Sequence, residues 1–99
     1  MSNEIAQIII NQLGGFGKLK AMINARNFVT DGDYKLTFHF SGSRLFNAIT
    51  IFLNAMDTYD LRFMKLGKFD IIKELKTEGI YNDMLIDVFE NTTKLRLSL

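Results

Sequence analysis

Apolar and polar residues alternate through the middle of the chain. Tyr34, Leu36, Phe38 and Phe40 are separated by Lys35, Thr37 and His39. This period of two marks a strand with one buried face. Ile49, Ile51 and Leu53 repeat the pattern over residues 48–53. Tyr59, Leu61 and Phe63 repeat it again, with Asp60 and Arg62 between them. A further strand is expected at 27–30. Residues 69–77 carry two signals, because Ile71, Ile72 and Leu75 also suit a helix and Glu74 and Lys76 are good helix formers. The short loop at Gly67 favours a strand hairpinned to residues 59–66. The breaks are Asp31-Gly32-Asp33, suited to a primed hairpin turn, then Ser41-Gly42-Ser43, the polar turn 54–58, Leu66-Gly67-Lys68 and Gly79.

Helical spacing occupies the two ends. Asn3 is the expected N-cap of a first helix, with Glu4 in its first turn and Ile5, Ile8, Ile9, Gln12 and Leu13 on one face. Gly14-Gly15 stops it. A second helix over 16–25 places Phe16, Leu19 and Ile23 on one side with Met22 beside them. Tyr81, Met84, Leu85, Val88 and Phe89 predict a third, ended by Asn91-Thr92-Thr93. Leu95, Leu97 and Leu99 then alternate with polar residues, which predicts a short edge strand able to pair with a second copy across a two-fold axis. A run of strands joined by short turns implies a meander. The expected fold is therefore α+β: an antiparallel β-meander of about four to five strands, with helices at the N- and C-terminal ends packed on one face. With 99 residues, one domain spanning 1–99 is expected.

Composition removes several functions. Hydrophobic residues are 47% and charged residues 23%, as in an ordinary folded protein. The net charge of +1 suits neither an acidic nucleic-acid mimic nor a strongly basic non-specific DNA binder. Without cysteine there is no disulfide, thiolate nucleophile or thiolate metal site. No apolar run approaches the ~20 residues of a membrane span, and the N-terminus lacks the basic start of a signal peptide. No membrane partner and a cytoplasmic location are the expectation.

The inventory for catalysis is poor. Gly14-Gly15-Phe16-Gly17-Lys18 lacks the upstream glycine and the Ser or Thr of a phosphate loop, where Gln12 and Leu19 stand instead. His39 is the single histidine; Asp57 or Asp60 are its candidate neighbours, and a strand polar-face role is the plainer reading. Asp31-Gly32-Asp33 lacks the remaining ligands of a calcium loop, and Ser41-Gly42-Ser43 lacks a nucleophile elbow. No catalytic residue, cofactor or metal is expected, and the chain is read as a non-enzyme. Phe38 and Phe63 are expected core residues. Phe52 faces away from Ile49, Ile51 and Leu53, which suits a face that covers a partner.

Spread along the chain are Ile8, Gln12-Leu13-Gly14-Gly15, Ala21-Met22 and Ala25-Arg26-Asn27-Phe28, then Ile51, Leu53, Asp57, Tyr59-Asp60 and Phe63, then Gly79-Ile80-Tyr81 and Asp83. In this order they resemble a group of small uncharacterised proteins of bacteriophages and bacterial mobile elements. Phe16-Gly17-Lys18 stands where those proteins more often have Asn-Lys. No functional residue carries over. The resemblance implies a phage or mobile-element protein acting in the cytoplasm of a bacterial host cell, and hence an interaction module that binds a host or phage protein. Inhibition of a host defence system is one concrete version. Arg44, Asn54, Asp57 and Arg62, on the polar face and its loops, are the candidate protein-binding residues. A nucleic-acid-binding accessory protein is the alternative, through Lys18, Lys20, Arg26 and Lys35.

Overall fold

The computed structural model describes residues 4–30, 32 and 34–95. Helices α1 (Glu4–Gln12) and α2 (Phe16–Ile23) lead into strands β1 (Arg26–Thr30), β2 (Lys35–His39), β3 (Ala48–Leu53), β4 (Tyr59–Leu66) and β5 (Ile71–Ile80). A 3-10 turn, Asn82–Met84, precedes helix α3 (Leu85–Thr93). The strands lie in chain order β1-β2-β3-β4-β5, each antiparallel to the next. The α+β meander expected from the alternation is the observed fold, and residues 71–80 are a strand.

Register explains why one face is apolar. Phe38 lies opposite Ile49, Ile49 opposite Phe63, and Phe63 opposite Leu75. The next row is Leu36, Ile51, Leu61 and Thr77. All three helices cover this face. Ile9, Ile10 and Leu13 come from the α1 end, Leu19 and Ile23 from α2, and Leu85 and Phe89 from α3, and all join one buried cluster with the strand residues. Phe89 meets Phe40 edge-on at a centroid distance of 5.1 Å and lies 6.2 Å from Phe63. Such tilted ring packing adds to the burial of apolar area.

Side-chain hydrogen bonds pin the long loop between β2 and β3. Asn47 acts as an extra strand position: its amide donates to the Leu66 carbonyl at 3.1 Å and its Oδ1 accepts the Leu66 N–H at 2.8 Å. The Ser43 hydroxyl donates to the Thr93 carbonyl at 2.8 Å, tying the loop to the end of α3.

Several expectations are corrected. The buried stripe of α1 is Ala6, Ile9 and Ile10, continued by Leu13, and Ile8 is exposed. Ala6 and Leu13 flank the isoleucine run with the same i, i+3, i+4, i+7 spacing, and docking on the sheet chooses between the two faces. Helix α2 ends at Ile23, where Asn24 adopts φ 53°. Gly79 does not end the sheet region but sits inside β5 at φ 71°, where the β4–β5 register shifts. A bulge of this kind calls for a left-handed residue. The third helix begins at Leu85, so Tyr81 and Met84 are exposed, and it runs on through Thr93, whose hydroxyl donates to the Phe89 carbonyl at 2.7 Å. The expected N-cap Asn3, the turn residues Asp31 and Asp33, and Leu97 and Leu99 of the expected final strand lie outside the described residues. Leu95 follows α3 without strand pairing and packs against the core.

Candidate functional site

The second face of the sheet carries no helix among the described residues. The alternation of β2, β3 and β4 sends Lys35, Thr37, Thr50, Phe52, Asp60 and Arg62 to this side. Thr37 and Thr50 face each other and share a hydrogen bond of 2.8 Å. Phe52 is 38% exposed, an aromatic ring among polar neighbours, and Val29, opposite Thr37, is a second exposed apolar residue on this side. The Lys35 ammonium lies 6.0 Å from its centroid, within cation–π range.

Phe52 stands between two open depressions. One, of about 350 Å³, is walled by Lys35, Thr50, Asp60, Arg62, Lys76 and Glu78. The other, of about 430 Å³, is walled by Tyr34, Leu53, Asn54, Ala55 and Asp57. Tyr34, just before β2, is exposed, and Met56, in the turn between β3 and β4, is 82% exposed. Phe, Tyr, Met and Arg are the residue types enriched in the cores of protein–protein interfaces.

The turn between β3 and β4 is built by Asn54. Its Oδ1 accepts the backbone N–H of Met56 at 2.8 Å and of Thr58 at 3.3 Å. Its amide donates to the Thr58 hydroxyl at 2.8 Å and to Asp60 Oδ1 at 3.0 Å. Asp60 Oδ1 also accepts the Gly79 N–H at 3.2 Å, so one carboxylate joins this turn to the β5 bulge. Asp57 takes φ 64°, a left-handed position that aspartate tolerates better than most residues. Arg62, mid-strand, forms an ion pair with Glu74 on β5.

Three of the four proposed binding residues therefore gather around Phe52: Arg62 in one depression, Asn54 and Asp57 in the other. Arg44 does not join them. It lies in the β2–β3 loop at the opposite end of the sheet, where its carbonyl accepts from the Lys65 ammonium at 2.8 Å. The basic set is divided. Lys18 and Lys20 belong to α2 on the helical side, and the Lys20 ammonium sits 4.8 Å from the Phe16 ring centroid. Arg26 pairs with His39 at one end of the β1–β2 ladder, and Lys35 lies four residues from His39, about 13 Å along the strand. His39 faces Asn27, with Nδ1 3.4 Å from the Asn27 amide nitrogen, and its row neighbour on β3 is Ala48 rather than Asp57 or Asp60. Among the described residues no three His, Asp or Glu side chains converge as metal ligands. No described helix is long and apolar enough to cross a membrane.

No family model, curated protein or solved structure significantly matches this chain. The alternation signalled Phe52 and Arg62 in the sequence. Lys76 and Glu78 could not be placed, because the bulge at Gly79 sets which β5 residues meet Asp60 and Arg62.

Tyr59 supports the turn from beneath. Its hydroxyl donates to Gln12 Oε1 at 2.7 Å, linking α1 to β4. Burial pushes its pKa above the ordinary 10.0, and the nearby Asp57 charge adds to this. Above pH 10.0 the unfolded chain loses the Tyr59 proton while the folded chain keeps it, so stability falls with rising pH until the folded group also ionises. Below that window this contribution is complete. Tyr59→Phe is expected to flatten the alkaline decline, measured as urea midpoint against pH. An unchanged slope would show that Tyr59 does not cause it.

Proposed function

We propose that this chain is a non-enzymatic interaction protein that binds and modulates a protein partner through the open face centred on Phe52. The observation that carries this reading is the exposed Phe52 ring between two depressions edged by Arg62, Asp57, Asn54 and Tyr34. An aromatic anchor with a polar rim is the arrangement from which binding hot spots are drawn. The mixed charge argues against a nucleic acid: Lys35, Arg62 and Lys76 are interleaved with Asp60, Glu74 and Glu78, so the face offers a phosphate backbone no concentrated positive field. The motif resemblance supports a phage or mobile-element context in a bacterial cytoplasm, with a host defence component as one class of target.

The test is capture of binding proteins from bacterial lysate with and without nuclease, by the native sequence and by folded Phe52→Ala and Arg62→Ala variants. A partner retained after nuclease should lose about 30-fold or more in affinity to Phe52→Ala if that ring is a hot spot. A partner held equally by the native chain and both variants would place the interface elsewhere. Nuclease-sensitive capture would favour a nucleic-acid role instead.

A further inference from the structure

Strand β5 is a ten-residue edge strand with no neighbour on its outer side among the described residues. The other edge, β1, has five residues and a register break between Arg26 and Val29. Short, bulged edges resist further pairing, whereas long ones invite it. Strand β5 shifts register too, near Ile71 and at Gly79, but keeps an even ladder with β4 over residues 73–77. Beyond β4, the sheet outruns its helical cover: Leu75 is 44% exposed although it lies opposite the fully buried Phe63. Ile71 and Ile72 are exposed as well.

Charges on an edge ordinarily discourage pairing, and β5 carries Lys73, Glu74, Lys76 and Glu78. Their order favours some registers over others. An antiparallel pair of identical strands related by a two-fold axis normal to the sheet places one residue opposite itself. Centred on Lys73, Glu74, Lys76 or Glu78, it sets like charges face to face. Centred on Thr77, it opposes Lys76 and Glu78 but sets Leu75 against Gly79 at the bulge. Centred on Leu75, it sets Leu75 against Leu75 and Glu74 against Lys76 of the second copy, with Lys73 against Thr77 and Ile72 against Glu78. Within the chain, Lys76 lies directly opposite Arg62 on β4, and Arg62 is met by Glu74 of the same copy in an ion pair. In the dimer Glu74 would lie between its own Arg62 and Lys76 of the second copy. The incoming Glu74 would flank Lys76 on its other side. Phe69, 91% exposed just before β5, would run towards the end where Tyr81 of the second copy stands, itself 62% exposed.

We propose that two copies of this chain pair antiparallel along β5, about a two-fold axis at Leu75, and so join two meanders into one continuous sheet. The occupant of this edge is thus a second copy. The Phe52 face stays open in each copy, so this dimer does not depend on the partner-binding reading.

Sedimentation equilibrium and cross-linking test it. The native chain should show a concentration-dependent monomer–dimer equilibrium. Lys76→Glu sets two pairs of like charges across the axis and should weaken the dimer about tenfold or more. Combining it with Glu74→Lys restores opposite charges and should restore the dimer. The chain has no cysteine, so Leu75→Cys introduces a single thiol. Directly opposed strand residues fall within the Cα separation a disulfide spans, and this variant should cross-link on mild oxidation. Lys73→Cys should not, because its two copies would lie about 13 Å apart. Circular dichroism of each variant checks that it is folded. A chain that stays monomeric to its solubility limit overturns the proposal. So does a dimer that is indifferent to Lys76→Glu, or one that cross-links through Lys73→Cys and not Leu75→Cys.

Discussion

Phe89→Ala should lower the unfolding free energy by about 3 to 5 kcal/mol, read from urea denaturation. Phe89 is 1% exposed and stands where α3 meets the sheet. Its ring packs against Phe40 and Phe63, so truncation removes apolar burial and also opens a cavity that rigid strand neighbours cannot fill. A domain of this size has about 5 to 15 kcal/mol in total, so the loss would leave α3 poorly held and the protein close to unfolding. Phe69→Ala is the internal comparison. Its ring is 91% exposed, and the expected change in monomer stability is within about 0.5 kcal/mol. If the Phe89 change costs under about 1 kcal/mol, α3 is not docked on the sheet through this residue.

Asn54→Ala should cost about 2 to 3 kcal/mol, the next largest effect. The side chain is half-buried and serves as acceptor for two backbone N–H groups and donor to Thr58 and Asp60. Alanine leaves those partners without their bonds inside a tight turn, where the penalty for an unmade hydrogen bond exceeds the mean value of a made one. Asp60 keeps only its bond from the Gly79 N–H, so disturbance should reach the β5 bulge. Amide hydrogen exchange should quicken at Met56 and Thr58 first and at Gly79 next. Exchange unchanged at those three amides would mean that other bonds hold the turn. Because Asn54 builds the surface on which Asp57 stands, any loss of partner binding in this variant follows from turn geometry as well as from contact.

The meander was legible because its signal is local. A strand half-buried on one face must alternate, and Leu36, Phe38, Ile49, Ile51, Leu61 and Phe63 do so in plain view. Glycine and asparagine turns between such runs leave antiparallel neighbours as the short connection. The same logic put Phe52 on the opposite face before any packing was known. Where several apolar residues adjoin, local pattern gives way. Ile8, Ile9 and Ile10 offer two helical faces of similar quality, and only docking onto the sheet buried Ile9 and Ile10 and left Ile8 outside. Gly79 reads as a break in one dimension, but a left-handed bulge lets the strand continue to Ile80, because β4 supplies the pairing partner.

Sequence by itself determined the class of fold, the order of its strands, the face that Phe38 and Phe63 bury and the absence of thiol chemistry. These follow from periodicity and residue type, which need no knowledge of distant neighbours. Only the tertiary structure decided which candidates meet. Arg62, Asn54 and Asp57 gather around Phe52 because the β3–β4 hairpin folds them there, while Arg44 is carried to the far end by the same antiparallel geometry. Lys18 and Lys20 part from Lys35 because the sheet stands between them. Strand β5 has no neighbour on its outer side among the described residues because it is last in the strand order, and its apolar face stays open at Leu75 while Ile80 joins the core, a difference that no local pattern records.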